Sequence, residues 1–263
     1  RNGSCAEQIL RSGIKNIYIS RYDPDLRTNS KSIKKLHNNG VNVHTGFLEE
    51  KTINLNRFFF HSLKHKRPFI KVKMAISLDE KIAKSNYESK WISNHLSRDF
   101  SHKLRYFSQA ILTTSKTIIK DNPRLTVRKN KKIIKHLPTI IIDNSLKIPM
   151  KSKILKDISQ KRIIIFTTKN GKKYLSLKRL GCEVFLMKRK KNNTMNLKTI
   201  FKKIYKLKIY DVFVEAGGIF FSNLLEAKLV DEFHLFQSSI KIGKAGKPLI
   251  INKNIKDLNL KEI

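Results

Sequence analysis

Cysteine is almost missing from this chain. Cys5 and Cys182 are the only two among 263 residues, too few for the disulfide framework of a small secreted domain, so a reducing, cytoplasmic setting is the simplest expectation. No apolar run nears the ~18 residues of a membrane span, which leaves no membrane partner to expect. Acidic residues are scarce, 20 against 56 Lys plus Arg, for a formal net charge of +36. Such an excess fits a nucleic-acid partner. However, the lysines are spread over nearly every segment instead of gathering on one, and Ile and Asn are as abundant as an A/T-rich coding sequence makes them. We therefore expect no nucleic acid. None of the eight histidines stands two residues before a glutamate, and no Cys-x-x-Cys occurs, so a complete zinc-deaminase signature is absent. A hydrolase elbow, a Walker loop and the G-x-G-x-x-G fingerprint are absent too.

What is present is an alternation of apolar runs and helical stretches. Residues 5–12 read as a helix stopped by Gly13, KNIYIS as a strand, SKSIKKLHNNG as a helix ending at Gly40, and VNVHTG as a second strand. This piece is too small to be a domain by itself. Residues 47–66 read as a helical connector, after which Pro68 resets the chain. From Phe69 onward the expected strands are FIKVKMAIS, QAILTT, PTIIID, RIIIFTT, CEVFLM, YDVFVEA and DEFHLFQ, with helices at 94–107, 171–180, 196–208 and 219–227. Continuous apolar runs of this kind suit strands covered on both faces, as in an α/β sheet.

Three stretches carry candidate chemistry. In VEAGGIFFSNLLEAKLVDEFHLF, Gly217 and Gly218 stand between a strand and a helix. Glycine there serves the turn alone, or lets the backbone approach an anion at the helix N-terminus. Glu215 ends the strand, where α/β proteins place ligands; a water-facing sheet end is the alternative. In KVKMAISLDEKIAKSNYESKWIS, the string from Tyr87 to Trp91 suits a loop that stacks on one ligand and hydrogen-bonds another, against the plainer fate of Trp91 as core. In IIKDNPRLTVR, a turn at Asp121–Pro123 is followed by Arg124 and Arg128, with Arg105 on the preceding helix. These arginines are solvated surface groups, or they converge to clamp a phosphate.

Taken together, RPFIKVKMAISLDEKIAKSNYESKWIS, AILTTSKTIIKDNPRLTVR and VEAGGIFFSNLLEAKLVDE resemble, in order, three blocks of the bacterial bifunctional riboflavin-biosynthesis enzymes. In that family a diaminohydroxyphosphoribosylaminopyrimidine deaminase is fused to a 5-amino-6-(5-phosphoribosylamino)uracil reductase. The resemblance implies a dihydrofolate-reductase-like mixed sheet flanked by helices, preceded by the C-terminal piece of a cytidine-deaminase-like α/β domain. It implies an NADPH-dependent oxidoreductase and, in the parent protein, a zinc-dependent deaminase. It places Ala75, Trp91, Thr117, Asp121 and Asn144 on the cofactor, and the run Gly217, Gly218, Ile219, Phe220, Phe221, Ser222 and Asn223 on its phosphates. Ser89, Arg105, Leu125, Arg128 and Glu215 meet the substrate, Lys73 and Glu215 are the catalytic candidates, and Thr168 and Lys169 are candidates for reading the 2′-phosphate. The sequence departs from the family pattern at Glu80, where a glycine follows Ser-Leu-Asp, and at Asn86–Tyr87, where a small residue and a glycine precede Glu-Ser.

RNGSCAEQIL resembles the end of the deaminase motif, with Cys5 as an orphan zinc ligand not expected to bind metal alone; zinc is expected only in a complete deaminase domain. The expected organisation is a deaminase remnant at 1–46, the connector at 47–66 and a reductase domain at 67–263, short of its last strand or strands. A homodimer is expected. Two rival readings are a pterin reductase, which needs no phosphate clamp, and a basic nucleic-acid-binding module, which leaves the three blocks unexplained.

Overall fold

The computed structural model describes residues 3–23, 31–86, 94–189 and 194–250. It divides into two units, Arg1–Arg67 and Pro68–Ile263.

The first unit contains α1 (Cys5–Ser12), β1 (Asn16–Ile19), α2 (Lys31–His37), β2 (Asn42–Thr45), α3 (Glu49–Leu55) and α4 (Arg57–His65). Helix α1 starts at a capping box, in which the Ser4 side chain accepts from the Glu7 amide and Glu7 accepts from the Ser4 amide. Gly13 ends it at φ 73°, a left-handed turn that glycine takes without a Cβ clash. Strands β1 and β2 pair in parallel. A small core of Ala6, Leu36 and Val41 gathers Ile9, Leu10, Ile17 and Val43. The single connector expected at 47–66 is broken at Asn56, whose side-chain amide donates to the Thr52 carbonyl and competes for the helix's own acceptor. On α4, His61 and His65 bring their rings within 4.4 Å. Among the described residues no group of three or more His, Cys, Asp or Glu gathers to hold a metal. None of the helices there is long and apolar enough to cross a membrane.

The second unit runs β3 (Phe69–Ile76), β4 (Lys81–Ala83), α5 (His95–Tyr106), β5 (Ala110–Thr114), α6 (Ser115–Asp121), β6 (Val127–Lys129), β7 (Lys132–Lys135), β8 (Thr139–Ile142), α7 (Lys153–Lys156), β9 (Ile163–Thr167), α8 (Lys172–Arg179), β10 (Glu183–Leu186), α9 (Leu197–Lys206), β11 (Asp211–Val214), α10 (Gly218–Glu226), β12 (Glu232–Gln237) and β13 (Lys247–Pro248). Seven strands form one sheet in the order β10-β9-β8-β5-β11-β3-β12. Every described pair in it is parallel, and among the described residues antiparallel pairing is limited to the small ribbons β4–β13 and β6–β7 and an isolated bridge between Arg189 and Met195. Parallel strands need both faces covered, and the burial follows. In β8, Ile140 and Ile142 face one core, with Phe201 of α9 and Leu224 of α10. Ile141 faces the other, with Ile118, Ile154 and Leu177. That period-2 split is the strand pleat expressed in isoleucines. The turn after Ser77-Leu78-Asp79 places Glu80 at φ 61°, the left-handed conformation that explains a glycine at that point.

Among the described residues the basic side chains stay almost wholly outside. One exception joins the neighbouring strands β3 and β11, where the Lys71 ammonium donates to an Asp211 oxygen at 2.9 Å with both side chains buried. Burial pushes the Asp211 carboxyl above its ordinary value despite the attraction of Lys71. We expect Lys71→Met to cost about 3–5 kcal/mol of unfolding free energy, because the carboxylate is left inside without its cation, whereas Lys71→Met with Asp211→Val should recover most of the loss. Urea unfolding of the two variants checks this; equal losses would show that the pair is not the source.

Candidate functional site

The carboxyl ends of β3, β5, β8 and β11 open on one cavity of about 770 Å³. This is the crevice where open α/β sheets bind ligands, beside the place where strand order reverses. From β3 come Lys73 and Ala75, from β5 and the start of α6 Thr114 to Thr117, from the turn after β8 Asp143 to Ser145, and from the end of β11 Glu215 to Phe220.

Each wall has a local cause. Helix α6 begins where the Thr114 side chain accepts from the Thr117 amide and ends at Asp121. After β8, the buried carboxylate of Asp143 accepts from the amides of Lys147 and Ile148 at 2.9 and 2.8 Å, and this pins the turn that carries Asn144. The Asn144 carbonyl accepts from the Thr167 and Thr168 hydroxyls and from the Thr168 amide. Thr168 thus buttresses that turn from behind, and neither it nor Lys169 lines the cavity.

The two glycines have separate reasons. A Cβ on Gly218 would lie 2.6 Å from the Leu249 carbonyl oxygen and 2.9 Å from Ile82, so the fold itself requires glycine there. A Cβ on Gly217 would meet nothing within 4 Å, at φ −75°. Neither backbone nor packing asks for glycine at 217, and the freed space opens on the cavity. The Gly218 and Ile219 amides that open α10 lie too early in the helix to have intrahelical acceptors, the arrangement that favours an anion, and both residues line the cavity.

At the end of β11, Glu215 grips Arg105 of α5 through both carboxylate oxygens: Nε donates to Oε1, and Nη2 donates to Oε2 at 2.7 Å. Arg105 Nη1 donates to the Thr126 carbonyl at 2.8 Å. Burial alone would push the Glu215 carboxyl up, but the Arg105 guanidinium overrides it and holds the carboxyl below its ordinary value. Lys73 stands nearby. Burial pushes its ammonium down while Glu215 pulls it up, and its Nζ lies 5.4 Å from the Phe236 ring centre. Among the described residues it has no hydrogen-bond acceptor.

The structure brings Lys73, Ala75, Arg105, Thr117, Asp121, Leu125, Asn144, Glu215, Gly217 to Phe220 and Asn223 onto this one wall. Phe221 and Ser222 are turned the other way. Phe221 stacks on Phe233 in the core and Ser222 is buried, because α10 shows the cavity only one face. Arg128 is exposed and off the cavity, its Nε on the Thr126 hydroxyl. The two arginines therefore do not share one wall, and most of the Arg105 fork is committed to Glu215. Ser89 and Trp91 lie outside the described residues. Cys5, on α1, is exposed and free. The sequence reading missed Lys116, Lys120, Asp143, Lys147 and the β13 residues Lys247 and Pro248. The Asp-Asn-Ser turn after PTIIID was a usable signal for Asp143; nothing local marked β13.

Residues 68–263 match the family described as RibD C-terminal domain. The chain is 35% identical over 242 residues to the riboflavin biosynthesis protein RibD of Aquifex aeolicus, covering 90% of this chain and 64% of that protein. Among solved structures, a diaminohydroxyphosphoribosylaminopyrimidine deaminase/5-amino-6-(5-phosphoribosylamino)uracil reductase from Thermotoga maritima is 29% identical with a TM-score of 0.78, over 96% of this chain and 68% of that one. RibD of Acinetobacter baumannii is 26% identical with a TM-score of 0.82, over 95% and 68%.

The Glu215–Arg105 pair carries a pH signature. A carboxyl held below its ordinary 4.5 contributes stability that is complete above that value and is lost as pH falls through the lowered one. In Arg105→Met the carboxyl loses its cation and burial drives it upward instead. We expect the acid-side fall in unfolding free energy, between about pH 5 and pH 3, to be shallower in the variant. Parallel pH profiles for the two proteins would show that the pair does not stabilise the fold.

Proposed function

This chain belongs to the RibD C-terminal domain family, and on that footing we propose that it is the reductase part of a riboflavin-biosynthesis enzyme, converting 5-amino-6-(5-phosphoribosylamino)uracil to the ribitylamino product with NADPH. The observation that carries the reading is the single wall on which a ligand-facing glycine, an anion-seeking helix start and the cluster Glu215–Arg105–Lys73 meet.

The residues fit a dinucleotide. Gly217 leaves space that no atom of the described residues fills, and the amides of α10 would take the pyrophosphate. Ala75, Thr117, Asp121 and Asn144 would hold the rest along the strand ends. Lys116, Lys120 and Lys147 stand on the same cavity and supply positive charge for the additional phosphate of NADPH. Hydride for the sugar C1 is the chemistry a bound dinucleotide contributes.

The chain's own residues orient and charge the site. As the ribose opens, the bond from C1 to the ring oxygen breaks, and that oxygen must gain a proton. Among the described residues the Lys73 N–H groups are uncommitted, and we assign Lys73 the hydrogen bond and the proton for that oxygen. Burial pushes its ammonium down and Glu215 favours its charged form, while Arg105 holds the Glu215 carboxyl below its ordinary value. Leu125 and the remaining N–H groups of Arg105 bound the substrate side. A homodimer and a cytoplasmic location accompany this reading. Deamination with zinc is proposed only for a protein in which Cys5 is joined by further ligands beyond the described residues.

The direct test is NADPH oxidation by the purified chain with 5-amino-6-(5-phosphoribosylamino)uracil; no turnover above background would remove the proposal. Two further outcomes are expected. Gly217→Ala should leave unfolding free energy within about 0.5 kcal/mol yet weaken NADPH binding by calorimetry, whereas Gly218→Ala should cost about 1–3 kcal/mol through its collision with the Leu249 backbone. Unweakened NADPH binding in Gly217→Ala would remove the phosphate seat. NADPH should also bind more tightly than NADH, and equal dissociation constants would mean that the lysines of this wall do not read the extra phosphate.

A further inference from the structure

Two lysines are buried among the described residues, Lys71 and Lys161. Lys71 has its carboxylate. Lys161, at 7% exposure, has none within ion-pair distance among the described residues. Its ammonium makes one hydrogen bond, 2.6 Å to the carbonyl of Arg124. An ammonium buried against a single carbonyl is costly. Asp157 offsets part of that cost from beyond ion-pair distance, and a cost only partly offset marks a site where it serves function.

The loop it holds is strained and placed where it matters. Between α6 and β6, Asn122 and Leu125 both take left-handed backbone, at φ 41° and 52°, which persists only where the surroundings over-determine it. Asn122 is tied by the Lys153 amide, which donates to its side chain at 2.8 Å. Arg124 is tied by Lys161. Leu125, next along, lines the cavity, and the Thr126 carbonyl then orients Arg105 for its grip on Glu215. We propose that Lys161 is a positioning residue for the substrate side of this site: from behind the loop, its ammonium holds the Arg124 carbonyl, and so holds Leu125 on the cavity wall and the Thr126 carbonyl against Arg105. The proposal rests on the reductase reading for its substrate, but the loop's dependence on Lys161 does not.

The charged groups facing Lys161 are Asp157 at the end of α7, which favours its charge, and Arg105 and Arg124, which oppose it. Burial, the largest influence, pushes the ammonium down to about 8 from 10.5. The native protein therefore sheds this proton at lower pH than the unfolded chain. Between about pH 8 and 10.5 the unfolded state binds more protons, and stability gains with rising pH. Wild type should show that gain and Lys161→Met should lack it, so the difference between the two proteins widens over this range.

The test is Lys161→Met, which keeps the stem and removes the donor, with Lys161→Gln giving the same reading should methionine disturb the packing. Hydrogen exchange of a peptide spanning 122–128 should quicken about tenfold while the strands of the sheet keep their protection. The KM for 5-amino-6-(5-phosphoribosylamino)uracil should rise about tenfold, with the NADPH dissociation constant within about twofold of wild type. Unchanged loop exchange in the folded variant overturns the proposal. So does equal weakening of substrate and NADPH, as a residue that merely supports the fold would produce. If wild type itself fails to oxidise NADPH with this substrate, the reductase reading falls instead, and loop exchange still decides whether Lys161 holds the loop.

Discussion

The slot between β3 and β5 is filled by a strand from far along the chain. β11 enters between them and pairs in parallel with both, and the working part of the molecule follows from that insertion. It carries Glu215, Gly217 and Gly218 to a point flanked by Lys73 and Ala75 on one side and by Thr114 to Thr117 on the other. β11 also has an acid at each end. Asp211, at its start, is buried against Lys71 of β3, and Glu215, just past its end, is gripped by Arg105 of α5. The first pair ties two strands inside the sheet. The second ties the sheet to the helix and to the loop whose Thr126 carbonyl holds Arg105 in turn.

Charge is distributed with a sharp division of labour. The whole chain has an excess of +36, and among the described residues few basic side chains are buried; the exposed ones are screened and carry little structural information. The cations that matter are the few held in place: Lys71 within the sheet, Lys161 behind the loop, Arg105 on the carboxylate, and Lys73 on the cavity lining. Net charge alone fits a nucleic-acid partner, whereas these few charges are tied into the sheet, the loop and the cavity lining.

The glycines show how fold and ligand divide a motif. Gly218 is required by the Leu249 backbone passing over it, and Gly217 by nothing among the described residues. Glu80 shows the converse. Its backbone is left-handed although the side chain is one that glycine would relieve, and its turn is clasped by Asp79, whose carboxylate accepts from the Ser77 hydroxyl and from the amides of Ile242 and Gly243. A clasp of three hydrogen bonds holds the conformation that the residue itself disfavours.

The amino-acid sequence by itself determined the elements. Runs such as TIII and IIIFT made buried strands, Ser4, Asn94 and Asn196 capped helices, and the glycine pair opened α10. It also carried the ordered blocks in which most of the cavity-lining residues stand. Tertiary structure alone decided which strand lies beside which, that Arg105 reaches Glu215 instead of sharing a wall with Arg128, that Phe221 and Ser222 turn into the core, and that Lys161 sits behind the loop at Arg124. The reason is one of range. Caps, turns and periodicity depend on neighbours within a turn or a pleat, so they are written locally. Arg105 and Glu215 are 110 positions apart and meet only because β11 enters the slot between β3 and β5, an outcome of burying both faces of the sheet that no local stretch records.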